Sequence, residues 1–336
     1  MTDHTGRIRL ADVARAAGVA ESTVSRVFSN PDRVSTETVE SVRRVATELG
    51  FRPRGIAKSP ATPTKSIDLL TQEFSNPFFA SLFTGVERQA RTAGYTVTLG
   101  VAEDSAEMER QHVSRVVDTV SGYIAHARWL PDADLIELNR RRPVVLFNRE
   151  VAGIASVVID TEDGSRQIIE HLASLGHRRV VYVAGPALSW SESRRWNTLS
   201  STAALHGIEL DRMGPYQPIV SQGAAAAEVA LSRRPTAIIA FNDQIALGLI
   251  RRLQHLGVDV PRQVSVVGYD DTFGSDFIQP ALTTVHAPVE QAGRLATDVL
   301  MSLIDGSAEP TAHRVAGSLV VRDSTSVASA PESASA

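Results

Sequence analysis

Residues 12–28 read Asp-Val-Ala-Arg-Ala-Ala-Gly-Val-Ala-Glu-Ser-Thr-Val-Ser-Arg-Val-Phe, with polar residues spaced to share one helical face. In a helix begun at Glu21, Val24, Val27 and Phe28 point inward, leaving Glu21, Ser22, Thr23, Ser25 and Arg26 outward. Such a face fits the major groove of DNA, where arginine bonds a guanine edge bidentately and serine or threonine reaches bases or phosphates. The spacing alone also admits a plain three-helix bundle with a solvated polar face. A second set of polar residues follows apolar runs. Asn148 and Arg149 follow Val144–Phe147, Asn242 follows Ala237–Phe241, and Asp270 follows Val264–Gly268. Open α/β sheets bind ligands beyond the carboxyl ends of their strands, and these side chains offer the donors and acceptors that sugar hydroxyls need.

The first set needs a small helical unit to hold it. Leu10, Val13, Ala14 and Ala17 recur at helical spacing and Gly18 stops them; a second helix spans about Glu21–Phe28. After the turn cluster Asn30-Pro31-Asp32, Ser35-Thr36-Glu37-Thr38 opens a third helix with Val39, Val42, Val45, Ala46 and Leu49 on its apolar face and Gly50 as its cap. Residues 59–65 carry two prolines and little hydrophobicity, as a linker does. From Ser66 onward, strands alternate with helices. Strands are expected at Ile67–Leu70, Tyr95–Leu99, Tyr123–Ala125, Val144–Phe147, Val157–Ile159, Val180–Val183, Ala237–Phe241 and Val264–Gly268. Helices such as Pro77–Ala93, Ala106–Thr119, Gly164–Leu175 and Gln244–Leu256 lie between them, which implies parallel α/β layers with strands enough for two sheets. The Ala/Ser/Pro/Glu-rich residues 328–336 read as a disordered tail.

Composition narrows the function. The 336 residues suit two or three domains. The net charge of −4 is unevenly spread: residues 1–60 carry +3 and the rest −7, so one end suits phosphates. Without cysteine, disulfides and thiolate metal sites are excluded. The polar N-terminus lacks a secretory h-region and no run reaches the roughly 18 apolar residues of a membrane helix, so the expected compartment is the cytoplasm. No Gly-x-Ser-x-Gly elbow, Walker A loop or Gly-x-Gly-x-x-Gly after a strand is present, so no enzyme activity and no cofactor are expected.

A longer string of residues carries a resemblance. Leu10-Ala11-Asp12-Val13-Ala14, Gly18-Val19, Thr23-Val24-Ser25-Arg26-Val27, Val34-Ser35, Thr38, Val42 and Glu48-Leu49-Gly50-Phe51-Arg52-Pro53 resemble the headpiece of the LacI/GalR (lac repressor) family of bacterial transcription regulators. The resemblance extends through Asn76-Pro77-Phe78-Phe79, Leu175-Gly176-His177-Arg178-Arg179, Phe241-Asn242-Asp243-Gln244 and Val266-Val267-Gly268-Tyr269-Asp270-Asp271 to nearly the whole chain. It implies an N-terminal all-α helix-turn-helix headpiece followed by a two-lobed α/β, parallel-sheet, periplasmic-binding-protein-like effector domain. The implied division is headpiece 1–53, hinge or linker 54–65, effector-binding and dimerisation domain 66–327, and tail 328–336. The implied partners are double-stranded operator DNA, a small effector of carbohydrate type and a second copy of the chain, which forms a dimer because no leucine heptad follows Val327.

The resemblance also assigns residues. Glu21 and Ser22 stand where the family varies its operator choice, and Arg26 is a base contact. Thr23, Ser25, Arg33, Ser35 and Thr38 mostly meet phosphate. Arg54, Ala57 and Lys58 belong to the DNA-contacting hinge, but Gly55 and Pro60 break the family pattern, Pro60 occupying the position of the leucine that wedges into the minor groove. A weaker hinge helix is expected, with Ile56 as the alternative wedge. In the sensor, Asn76, Asn148, Arg149, Arg195, Asn242 and Asp270 are the polar effector candidates, and Phe78, Phe79, Trp190 and Phe241 the walls. Against these stand plainer readings: one of Phe78 and Phe79 as core, Asp243 as a helix cap and Trp190 as a surface-loop aromatic. His171 and His177 read as structural, with no metal site. Thr198 replaces a frequent family glycine, leaving the local backbone open.

Overall fold

The apolar periodicity near the N-terminus builds α1 (Leu10–Ala17), α2 (Glu21–Ser29) and α3 (Thr36–Glu48). The structure, a computed structural model, describes residues 8–29, 33–49, 51, 65–102 and 105–329. Gly18 ends α1 at φ +69°, a left-handed turn in which a Cβ would be strained. Val13, Ala14, Val24, Val27, Val42 and Ala46 form the small core, and the Phe28 and Phe51 rings meet with centroids 5.9 Å apart. Arg54, Gly55, Ile56, Ala57, Lys58 and Pro60, on which the hinge expectation rests, lie outside the described residues, as does the expected cap Gly50. The chain divides into two units, residues 1–62 and 63–336.

The second unit contains two six-stranded sheets. The first joins β1 (Ser66–Thr71), β2 (Thr96–Val101), β3 (Tyr123–Ala125), β4 (Val144–Phe147), β5 (Ala155–Asp160) and β11 (Ala312–Ala316) in the order β11-β5-β4-β3-β1-β2, all parallel. The second joins β6 (Arg179–Val183), β7 (Glu209–Met213), β8 (Ala237–Ala240), β9 (Ser265–Asp270), β10 (Thr283–His286) and β12 (Ser318–Val320) in the order β12-β10-β9-β8-β6-β7. Its pairings are parallel except β10 with β12.

Helices cover both faces of each sheet, which is why the central strands read as continuous apolar runs. On the first sheet, α4 (Pro77–Thr92) and α11 (Val289–Ile304) pack over Ile67, Leu69 and Ile124, while α5 (Ala106–Val116) and α6 (Asp132–Arg141) pack over Leu70, Tyr123 and Ala125. On the second, α9 (Val220–Ser232) and α10 (Asp243–His255) lie opposite α7 (Glu162–Ser174) and α8 (Trp190–Leu205). Two helix pairs approach backbone to backbone. A Cβ on Gly85 of α4 would fall 2.1 Å from the Glu290 carbonyl oxygen, and one on Gly248 of α10 2.0 Å from that of Val220.

The chain passes between lobes three times: from β5 to α7, from β10 to α11 and from β11 to β12. Three expectations need correction. Trp190 is not on a loop but is the first residue of α8, which runs unbroken through Thr198. The disordered tail does not begin at 328. The Ala328 N–H donates to the Leu175 carbonyl at 2.8 Å and the Ser329 hydroxyl to Gln263, while 330–336 lie outside the described residues. Asp243 is not the cap of α10, as set out below. No helix among the described residues is long and apolar enough to cross a membrane.

Candidate functional site

In the headpiece, burying Val24 and Val27 turns the polar side of α2 outward. Glu21, Ser22 and Arg26 are exposed, and neither Glu21 nor Arg26 has an ion-pair partner among the described residues. Thr23 and Ser25 are half-buried. Before α3, Arg33 and Ser35 are exposed and the Ser35 hydroxyl meets the Thr38 hydroxyl at 2.8 Å. An uncommitted guanidinium beside an uncommitted carboxylate on one short helix supplies a donor fork and an acceptor for base edges.

In the second unit, the carboxyl ends of the strands converge on a cavity between the lobes. The first lobe contributes Asn76, Phe78, Phe79, His126 and Asn148; the second contributes Ser191, Arg195, Phe241, Asn242 and Asp270. At its centre Arg195, 6% exposed, donates to Asp270 Oδ1 at 3.1 Å and to the Phe241 carbonyl. The guanidinium carbon also lies 4.2 Å from the Tyr269 ring centroid and 4.8 Å from that of Phe241. Burial pushes the Asp270 carboxyl up, and Arg195 opposes that shift. Asn148 and Asp270 adopt φ +54° and +103°, strained backbone at two strand ends that face the ligand space.

The structure spends part of this polar capacity internally. Asn76 caps α4 by accepting the Phe78 N–H at 3.0 Å. Asn148 Oδ1 accepts the Ile159 N–H at 2.9 Å. Arg149 is further committed: it donates to the carbonyls of Ala127 and Leu130 and pairs with Asp132 at 2.5 Å. It lies in a second, adjoining cavity with Trp190 rather than at Arg195. Phe78 and Phe79 are buried in the core yet line the cavity, so both readings of these residues hold.

Asn242, not Asp243, caps α10, its Oδ1 accepting the Ile245 N–H at 3.0 Å. Asp243 is fully buried, accepting from the Thr284 hydroxyl at 2.6 Å and the Thr272 N–H at 2.7 Å. Burial first, then the Asp270 charge, pushes its carboxyl up to about 8. Because the unfolded value is about 3.9, the stabilising contribution is complete below that pH and is lost as pH rises through about 8. Urea denaturation between pH 7 and 8, above the range in which His126, His171 and His177, all shifted down by burial, contribute the opposite slope, is therefore expected to show stability falling with pH, and Asp243→Asn to flatten that fall. An unchanged slope in the variant would refute the assignment.

Two residues escaped the sequence reading. His126 follows β3 just as Asn148 follows β4, so the strand-end rule could have found it. Its ring packs edge-on to Phe79 with centroids 5.1 Å apart, and burial, then Arg128, pushes its pKa down to about 3. Glu109 on α5 is buried, and its carboxylate accepts N–H groups from Arg128, Trp129 and Leu130, at 2.7 Å for Leu130. No sequence spacing signals such a clamp. His171 and His177 instead bond Thr325 and Ser326, anchoring the C-terminal segment.

A DNA-reading helix in one unit and a two-lobed ligand cleft in the other define a ligand-responsive transcriptional regulator. The headpiece, residues 9–54, matches the family described as bacterial regulatory proteins, lacI family, and residues 169–325 match the periplasmic binding protein-like domain. The chain is 30% identical over 320 residues to the HTH-type transcriptional regulator GalR of Escherichia coli K12, covering 93% of each. Its fold is similar to the transcriptional regulator CelR–cellobiose complex, with TM-score 0.70, 29% identity, and coverage of 95% of this chain and 100% of that one. It is also similar to the lac repressor dimer bound to operator and the anti-inducer ONPF, with TM-score 0.71, 29% identity, and coverage of 95% and 99%. The chain belongs to the LacI family of transcriptional regulators, and these relatives are regulators rather than enzymes.

Proposed function

We propose that this protein is the repressor of a catabolic operon, binding a pseudopalindromic operator as a cytoplasmic homodimer and responding to a carbohydrate held between its lobes. The observation that carries the reading is the cavity lined from both lobes around Arg195 and Asp270, in the same chain as an α2 whose Glu21, Ser22 and Arg26 stand exposed. Relatives solved with cellobiose and with operator DNA support both halves. The headpiece, 1–53, reads the operator through Glu21, Ser22 and Arg26, while Thr23, Ser25, Arg33, Ser35 and Thr38 hold phosphates and the hinge, 54–65, transmits the change from the sensor, 66–327. Asn148, Asn242, Asp270 and Arg195 bond hydroxyls; Phe78, Phe79, Phe241 and Trp190 cover the sugar's apolar side. A ligand that bridges the lobes favours one lobe arrangement, and moving a population from nearly all bound to nearly all free takes about 5.5 kcal/mol of preference.

The test is fluorescence anisotropy on an operator obtained by binding selection, titrated with a carbohydrate panel. An operator affinity that shifts with at least one carbohydrate supports the reading; no shift with any carbohydrate overturns the effector class. Glu21 accepts but cannot donate as a carboxylate, so it suits a cytosine amino group. Glu21→Gln is accordingly expected to change the preferred base in the selection, and an unchanged consensus would exclude Glu21 from readout.

A further inference from the structure

The space between the lobes has two chambers that share His126, Arg128, Asn148, Ser189 and Ser191 as lining residues. The inner chamber, at Arg195, is about 60 Å³. It is the narrow end of the space and takes part of a bound sugar rather than a whole disaccharide. The outer chamber is about 470 Å³, within the range that holds drug-sized ligands and more than one hexose fills. A tryptophan from each lobe lines it: Trp129 from the loop after β3 and Trp190 from the start of α8.

The backbone that carries Trp129 and the ring of Trp190 are each held in place. The Glu109 carboxylate gathers the N–H groups of Arg128, Trp129 and Leu130, and Arg149 binds the carbonyls of Ala127 and Leu130 from the other side. Across the chamber, Arg194 lies 4.6 Å from the Trp190 ring centroid and pairs with Glu162. Indoles carried on a held backbone or stacked in this way cover the apolar faces of sugar rings. Two residues that line the inner chamber each hold a buried nitrogen with no hydrogen-bond partner among the described residues, Arg195 Nε and His126 Nδ1. A buried polar group left unpaired is costly, so both call for a ligand atom. The charges around them are largely paired: Arg195 with Asp270, Arg149 with Asp132 and Glu150 with Arg314.

We infer that the effector is a neutral disaccharide, with one ring against Trp129 and Trp190 in the outer chamber and hydroxyls of the other meeting Arg195 and His126 at the inner end. The inference rests on the carbohydrate reading above and narrows it. A hydroxyl suits the inner end because it accepts from the Arg195 Nε–H and can either donate to or accept from a neutral imidazole nitrogen.

Isothermal titration of the full-length protein with cellobiose, maltose and lactose against glucose, galactose and glucose 6-phosphate tests it. At least one disaccharide is expected to bind about tenfold more tightly than either monosaccharide. Trp190→Ala, and independently Trp129→Ala, should collapse that preference towards unity, with the unliganded melting temperature reporting whether each variant folds. His126→Phe, which keeps a ring against Phe79 but removes Nδ1, should weaken the preferred disaccharide by about tenfold. A monosaccharide that binds as tightly as every disaccharide, or a preference unmoved by both tryptophan variants, overturns the two-ring inference while leaving a carbohydrate effector in place. Tighter binding of glucose 6-phosphate overturns the neutral class. Binding by no carbohydrate removes the effector reading itself, and the inference with it.

Discussion

Arg195→Ala is expected to destabilise the sensor unit by about 3–5 kcal/mol and to abolish its response to effector. The side chain is buried between two rings and bonds both the Asp270 carboxylate and the Phe241 carbonyl. Removing it strands a buried carboxylate, and that uncompensated charge costs more than the pair was worth. Urea denaturation should show the loss directly. The double variant Arg195→Met, Asp270→Leu should recover much of the stability, because replacing a whole buried pair by apolar residues is often neutral. It should recover none of the effector response, since both polar contacts would be gone. A single variant as stable as the parent would refute the ion pair as a structural element, and a retained response would refute Arg195 as an effector contact.

The second large effect is expected at the other end of the chain. Arg26→Ala should cost about 1–3 kcal/mol of operator discrimination per headpiece, and relax the preference at one base pair rather than weaken all sequences equally. The headpiece fold should be untouched, since Arg26 is exposed and the core of Val13, Val24, Val27 and Val42 does not involve it. Arg33→Ala should instead weaken every sequence alike and lower the salt slope by about one unit, as loss of a phosphate contact does. Anisotropy on a set of singly mutated operators, at two salt concentrations, separates the two. A uniform loss with Arg26→Ala would place that residue on the backbone.

The headpiece was legible because its information is local: three short helices whose apolar period closes on itself within some forty residues. The central strands were legible because helices cover both faces of each sheet. The edges were not. β7 is Glu-Leu-Asp-Arg-Met and β11 is Ala-His-Arg-Val-Ala, strands whose outer sides face water and whose composition looks like loop. β10, Thr-Thr-Val-His, buries two threonine hydroxyls only because Thr283 finds the Arg322 N–H and Thr325 and Thr284 finds Asp243, partners about forty residues away. The run Ala224–Ala227 in α9 gives little contrast between helix faces, although small residues are what let α9 meet Gly248 of α10. Within the cleft, strand ends marked Asn148, Asn242 and Asp270 because chain direction alone decides where they point. The same rule overestimated Arg149, whose fork is used by the backbone of a neighbouring loop.

The three passages between the lobes set the timing of assembly in the cell. The first sheet is not complete until β11, residues 312–316, pairs with β5, about 150 positions earlier, and the second awaits β12 at 318–320. Neither lobe is a contiguous piece of chain, so neither can finish folding while its last strand is still inside the ribosome. The headpiece core, by contrast, draws on residues 8–51 alone and is free to form as soon as it emerges. A nascent chain stalled before residue 312 would thus carry a formed DNA reader and an unfinished sensor.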